Sequence, residues 1–314
     1  MISLTHQGLH LLRRMFDRCS GREELTPPSC ELDADAASAM IEDLLRSGRP
    51  AMVGRFGCTE MSCLHNYLEI GKAGRNPLDY ITGRRDQWWW NKSIMRQMRE
   101  WSGFFPAAPE YLARFCELML CDMKELDILG SWLPYEREVM PMIRDVPRVR
   151  LLNLEPYWSS RPWSRALEGR KVLVVHPFAE SITLQYERNR ERIFENPEVL
   201  PSFSLETLAA VQSLGAGPDR FAGLKPWRGW RGRWTAGITM SASSDAGLTA
   251  FIWRPMPRGG AGRPCISAGL FNCCSACGAG AGKTRPTGRI PALPNMIIPG
   301  FSMTRGLGRG ERRR

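Results

Sequence analysis

The basic charge of this chain is confined to one end, and that confinement decides where a folded core can be built. From Gly223 to Arg314 there are 15 Lys and Arg residues against two acids, Asp245 and Glu311, a net charge of +13. Residues 1–222 carry 28 bases and 30 acids, a net charge of −2. The whole-chain charge of +11 and pI near 9.4 would normally point to nucleic acid or an anionic surface, but here they belong to the last third alone. That third also holds 17 of the 30 glycines and lacks the apolar periodicity by which a segment buries a core. Its charges, spread among glycines, predict only weak and salt-dependent attraction to nucleic acid, with no specific site. The chain therefore reads as an N-terminal helical or flexible segment (1–32), an α/β domain (33–222) and a low-order basic Gly/Arg-rich tail (223–314).

Within 33–222 the apolar pattern alternates between helical and strand periods. Ala36, Ala37, Met40, Ile41, Leu44 and Leu45 mark an amphipathic helix over 33–48 that ends near Gly48. Residues 50–56 read as a short buried strand that breaks at Gly57, and a helix follows through Glu60, Leu64, Tyr67 and Leu68 to Gly71. Further helices are expected at 91–101 and 109–124, and strands at 126–130 and 148–152. The clearest strand is Lys171–His176, which opens a helix from Phe178. Continuous apolar strands separated by helices predict an α/β fold, a Rossmann-like parallel sheet with helices on both faces, incomplete at the C-terminus. Ligands of such sheets collect at the carboxyl ends of the strands.

No apolar run approaches the ~20 residues of a membrane span. The opening segment, Met1 to Cys19, carries Arg13 and Arg14 after a short apolar stretch and has no signal-cleavage pattern, so it reads as an amphipathic helix and the cytoplasm is the expected compartment. A peripheral membrane contact through this helix is the alternative. Among the ten cysteines only Cys274 and Cys277 have CxxC spacing, and all four histidines lie far upstream, which argues against a zinc knuckle. Gly278–Thr284 resembles a phosphate-binding loop but has Cys277 where the first glycine belongs, no strand before it and Pro286 after it, so an ATPase reading is rejected.

Four groups carry candidate chemistry, three of them at expected strand ends and one, Trp88–Asn91, after the basic turn Arg84-Arg85. Gly54-Arg55-Phe56-Gly57-Cys58-Thr59-Glu60 lies on a strand-to-helix turn. There Arg55, Gly57, Thr59 and the free N–H groups of the helix can hold an anion, and Glu60 a sugar hydroxyl or a metal. The bland alternative is a structural ion pair at Arg55, with Glu60 merely complementing the helix dipole. In Trp88-Trp89-Trp90-Asn91, Trp90 can offer a stacking platform beside Asn91, against the alternative of core packing plus a helix cap. His176, stiffened by Pro177, and Glu180 one turn on can act as acid and base, or His176 can be a satisfied structural residue. Ser131, Trp132, Glu155 and Tyr157 are candidate pocket walls, each weak alone.

Taken together, GRFGCTE, WWWN, FCELM, DMKELDILGSWLP, LEPYW, KVLVVHPFAESI, QYERNRE and NPEVLPSFSLETLAAVQS resemble the GT-D-type glycosyltransferase-like proteins of bacteria, from about residue 38 to Phe221. The resemblance implies a nucleotide-sugar donor and a glycan acceptor in surface-glycan synthesis. It also implies a divalent Mn²⁺ or Mg²⁺ ion held by an Asp-x-Glu pair after Arg-Phe-Gly. Here that stretch is Cys58-Thr59-Glu60: the Glu is kept and the Asp is gone. One carboxylate is a poor site for a hard cation, which leaves a non-catalytic nucleotide- or carbohydrate-binding protein as the competing reading.

The family pattern continues with DWFEAL, GCGAYG, HLGG and QLLFG, none of which appears in residues 223–314. A single-nucleotide loss near Ala222 explains why. Residues 222–227 can be encoded GCT GGT TTG AAG CCC TGG, which reads W-F-E-A-L in the shifted frame. Residues 244–250 likewise permit G-C-G-A-Y-G, and residues 265–276 permit H-L-G-G followed by Q-L-L-F-G. We therefore read the tail as out-of-frame translation, a reading that leaves this copy incomplete on its donor side. Sequencing the gene tests it: codons compatible with all three motifs in one frame are expected, and a single incompatible codon within them sinks the idea.

Overall fold

In a computed structural model, the described residues are 4–20, 25–49, 51–104, 106–143, 145–176 and 178–209, with the backbone of 238–242 and 248–252. The chain divides into two compact units, Met1–Gly280 and Ala281–Arg314, and every described residue lies in the first. The CxxC at Cys274, the glycine-rich Gly278–Thr284, Pro177 and most of the segment read as frame-shifted lie outside the described residues.

The expected α/β alternation is present. Helix α1 (Leu4–Ser20) precedes α2 (Ala34–Arg46), strand β1 (Val53–Arg55) and α3 (Cys58–Gly71). Next come α4 (Pro77–Ile81), α5 (Lys92–Glu100), α6 (Pro109–Asp122), β2 (Ile128–Ser131), α7 (Glu136–Val139) and β3 (Arg148–Arg150). Strand β4 (Lys171–His176), α8 (Ala179–Ile193) and β5 (Ser204–Ala209) follow. Strands β1, β2 and β3 form a parallel sheet in that order, with Val53 opposite Ile128 and Leu129 opposite Arg148. Glu31 extends its outer edge by a parallel bridge to Val149. Strand β4 pairs in parallel with β5 in a second sheet. Two stretches of the basic segment join this sheet as strands. Strand β6 (Ile238–Ala242) is parallel to β4, and β7 (Leu248–Ile252) is antiparallel to β6.

Local signals set the boundaries. The side chain of Asp33 accepts the Ala36 N–H at 2.7 Å and caps α2, and Gly48, at φ +66°, takes the left-handed turn that ends it. Asn76 caps α4 and Asn91 caps α5 in the same way, each just ahead of the first helical residue. The three-stranded sheet is covered on both faces because consecutive residues of a strand point in opposite directions. On β2, Leu129 joins the cluster of Met61, Leu64, Leu112, Cys116 and Met119 from α3 and α6. Its neighbour Ile128 joins Ala37, Ile41 and Leu45 of α2 with Trp163.

Gly130 sits where these layers come closest. A Cβ there would lie 2.9 Å from Leu154 Cγ, with one of the Leu154 methyls closer still, and Leu154 is itself buried. Gly130→Ala must displace the turn after β3, and overpacking of this kind costs about 1–3 kcal/mol. Chemical denaturation should show that loss with an unchanged m-value; an undiminished midpoint would mean that Leu154 swings away freely.

Candidate functional site

The carboxyl ends of β1, β2 and β3 bring part of the expected site together. Arg55, the last residue of β1, is only 3% exposed, and Glu60, in the first turn of α3, is fully buried. Neither carboxylate oxygen of Glu60 has a well-formed hydrogen bond. Burial drives its pKa up to about 7, against the opposing pull of nearby Ser102, its own backbone N–H and the Arg55 guanidinium. Glu155, just past β3, feels the same cation. Burial raises its pKa, while the Trp158 indole N–H, donating at 3.3 Å, and Arg55 work to lower it. Arg55 is therefore within electrostatic reach of two carboxyl groups, one in the first turn of α3 and one just past β3. Gly57 is the N-cap of α3 in extended backbone, with no side-chain cap over the helix start, and Thr59 is buried with its hydroxyl 3.9 Å from Cys58 Sγ.

The residues after β2 serve this edge by holding it. Glu136 is fully buried and accepts hydrogen bonds from the Ser131 hydroxyl and from the Trp132 and Leu133 N–H groups at 3.0 Å each. The Trp132 indole N–H donates to the Phe56 carbonyl at 2.9 Å, tying the turn after β2 to the turn after β1. Ser131 and Trp132 thus have their polar atoms engaged inside the protein. Tyr157 is exposed, packed against Trp158 and nearly parallel to Phe194.

The other expected site residues lie on other elements, each with partners of its own. Asn91 accepts the N–H groups of Ser93 and Ile94 and donates to Gln87, while its own N–H donates to Asn66. Its amide is a helix cap and a brace, as the bland reading held. Trp90 is half-buried on the α3–α6 cluster beside Tyr67. His176 ends β4 and accepts the Phe178 N–H at Nδ1, 3.0 Å away, so its proton sits on Nε2; burial lowers its pKa. Glu180 is exposed on the first turn of α8.

A second polar cluster was not anticipated. His65, on α3, is buried with a carboxylate on each ring nitrogen: Glu138 Oε2 at 2.7 Å from Nδ1 and Asp86 Oδ2 at 2.8 Å from Nε2. Its ring stacks on Tyr135 at 4.3 Å. Burial opposes the charged form, but the hydrogen bonds of Asp86 and Glu138 and their charges outweigh it and push the pKa up to about 9. Arg13 of α1 completes the chain at 2.5 Å from Asp86, whose pKa is held at about 2 in spite of its burial. Buried polar residues at 59, 60, 65, 66 and 69 of α3 were the available signal. A helix that buries so many polar groups needs partners for them.

Two groups can be tested against a divalent cation. Ligand atoms of His65, Glu69 and Glu138 lie within 4.8 Å of one another, a composition that can hold a metal. In this arrangement the cationic roles are taken by His65 between its two carboxylates and by Lys72 and Arg85 at Glu69. At the expected metal position the donor set does not fit. Glu60 contributes one carboxylate, Cys58 stands where a second is needed, and Arg55 already supplies a positive charge. Among the described residues, two surface cavities of about 790 and 540 Å³ lie at the amino ends of the strands, around Cys30, Asp127, Asp145 and Arg148, and Arg55 lines neither.

Comparison of the chain with known protein families, with curated proteins and with solved structures finds no match. The likeness to GT-D glycosyltransferase-like proteins therefore rests on the sequence motifs alone.

The raised pKa values of Glu60 and His65 give a direction for stability against pH. The folded pKa of Glu60 exceeds its ordinary 4.5, so its contribution is complete below pH 4.5 and is lost as pH rises through about 7. The contribution of His65 is complete below pH 6.5 and is lost through about 9. Each shift corresponds to on the order of 3 kcal/mol. Unfolding free energy should fall from pH 5 to pH 9. Glu60→Gln should flatten the lower half of that decline and His65→Gln the upper half. Parallel curves for wild type and both variants would show that neither group titrates this way.

Proposed function

We propose that this chain is a glycosyltransferase-like protein that takes a nucleotide-sugar donor at the carboxyl edge of β1–β3, in the synthesis of a surface glycan. The observation that carries the reading is the Arg55 group. A guanidinium within electrostatic reach of two carboxyl groups precedes a 14-residue helix that starts without a side-chain cap, at the edge where α/β sheets bind anionic ligands. In transfer, the bond between the anomeric carbon and the diphosphate breaks as an acceptor hydroxyl bonds to that carbon and gives up its proton. Charge then develops on the departing diphosphate, and Arg55 with the N–H groups opening α3 is the kind of fixed donor set that stabilises it. The family motifs support the same class of donor. His176 and Glu180 remain proposed acid–base contacts, and Trp90, Asn91, Ser131, Trp132 and Tyr157 proposed walls, under this reading only.

A second reading, donor binding without turnover, is favoured by one observation, that Glu60 is wholly buried, and by Cys58 at the position where the family resemblance implies a second carboxylate. The two separate cleanly. Calorimetric titration with uridine and guanosine diphosphate sugars should give binding that weakens at least tenfold in Arg55→Gln, roughly the loss of one charge-assisted contact. Binding should also be tighter at pH 6 than at pH 8, because an incoming anion favours the protonated form of Glu60. Donor hydrolysis appearing in Cys58→Asp with Mn²⁺ but not in wild type would assign this copy to binding alone. Equal affinity in wild type and Arg55→Gln would remove the site altogether.

A further inference from the structure

Helix α1 is attached to the protein by its polar side. His6 stacks on Trp89 at 4.0 Å, and His10 Nδ1 shares a hydrogen bond with the Tyr80 hydroxyl, 2.7 Å away. Arg13 binds Asp86 and the Arg85 carbonyl and lies 4.6 Å over the Tyr80 ring. Positions 6, 10 and 13 form one stripe of the helix. The opposite stripe is apolar and faces outward: Leu11, Leu12, Met15 and Phe16 are 61%, 48%, 56% and 37% exposed. These four occupy positions i, i+1, i+4 and i+5, so they make one continuous face, and exposed Arg14 and Arg18 border it. An amphipathic helix normally does the reverse, laying its apolar face on the core.

We propose that this outward face of α1 docks the protein on an anionic lipid surface. Large side chains that insert to the depth of the headgroups, with cations beside them for lipid phosphates, are the composition of an interfacial helix. A second copy of the chain fits less well. The four side chains expose roughly 400 Å² of apolar surface, well short of the ~800 Å² per partner that a stable dimer buries. Nor does the body compete for this face, because the polar stripe that holds α1 to it would be lost if the helix rolled over. The contact with lipid uses none of the residues of the Arg55 edge, so it stands or falls separately from the proposed function.

The test is flotation of the full chain with vesicles of phosphatidylglycerol and phosphatidylcholine in equal parts, and with phosphatidylcholine alone. Binding to the anionic vesicles is expected, weaker on the neutral ones. It should drop at least about tenfold in Leu12→Gln/Phe16→Gln and several-fold in Arg14→Gln/Arg18→Gln. Circular dichroism of the free variants should be unchanged, since all four positions are exposed. Retained binding in the Leu12/Phe16 variant would overturn the proposal and assign lipid attraction to the basic residues beyond 222. So would an absence of binding in wild type, or a concentration-dependent dimer that the same variant abolishes.

Discussion

One imidazolium carries much of the architecture around α3. His65 sits between Asp86 of the tryptophan-rich turn and Glu138 of α7, with Tyr135 against its face, and through Asp86 it reaches Arg13 of α1. Four separate parts of the chain are thus joined by alternating charges that are largely removed from water. Desolvation makes each charge costly alone, and mutual pairing makes them tolerable together. The arrangement is cooperative for that reason: removing the central cation leaves two carboxylates facing one another. It also dictates how α1 meets the body. A helix recruited by His6, His10 and Arg13 has its polar stripe turned inward, and Leu11 and Leu12 are left on the outside as a geometrical consequence.

Comparable locking holds the edge of the sheet. The carboxylate of Glu136 receives three donors from the turn after β2, and the Trp132 indole then bridges to Phe56 beside Arg55. Gly130 gives Leu154, in the turn after β3, the room to pack against β2. The rigid residues and the charged ones are different residues, set on the same three turns. Ser131 and Trp132 were readable as pocket walls from their position past a strand end, but position alone does not reveal that a buried Glu136, five residues on, engages the serine hydroxyl.

What could be read ahead of the structure follows from range. Strand β4 spells a continuous apolar run, α2 has its cap at Asp33 and its stop at Gly48, and these signals lie within a few residues of the feature they specify. Asn91 as a cap belongs to the same class. The His65 cluster does not, because Asp86 is 21 residues away and Glu138 is 73, and nothing in the local pattern of α3 names either. The sequence nevertheless held a trace of it, since the helix carries polar residues on every side and so cannot be sorted into an inner and an outer face. The same limit applies to Arg55: its place at a strand end was legible, whereas its pairing with carboxyl groups 5 and 100 residues further on depends on the sheet order.

Charge at the Arg55 edge narrows what a donor would meet there under the proposed function. With both carboxyl groups ionised, Arg55 is more than neutralised, and a diphosphate would be repelled. Glu60 does not stay ionised under mild acid, because burial holds its pKa near 7. A proton on Glu60 removes one negative charge, beside the Arg55 guanidinium, from a space in which water cannot screen it. A pair of carboxylates holding a divalent cation compensates a diphosphate by adding two positive charges. A single buried carboxyl group that takes up a proton reaches part of the same end by removing a negative one. A cysteine rather than an acid at position 58, the first residue of α3, is consistent with that second route, since an ionised Asp there would add back the charge that the proton on Glu60 removes.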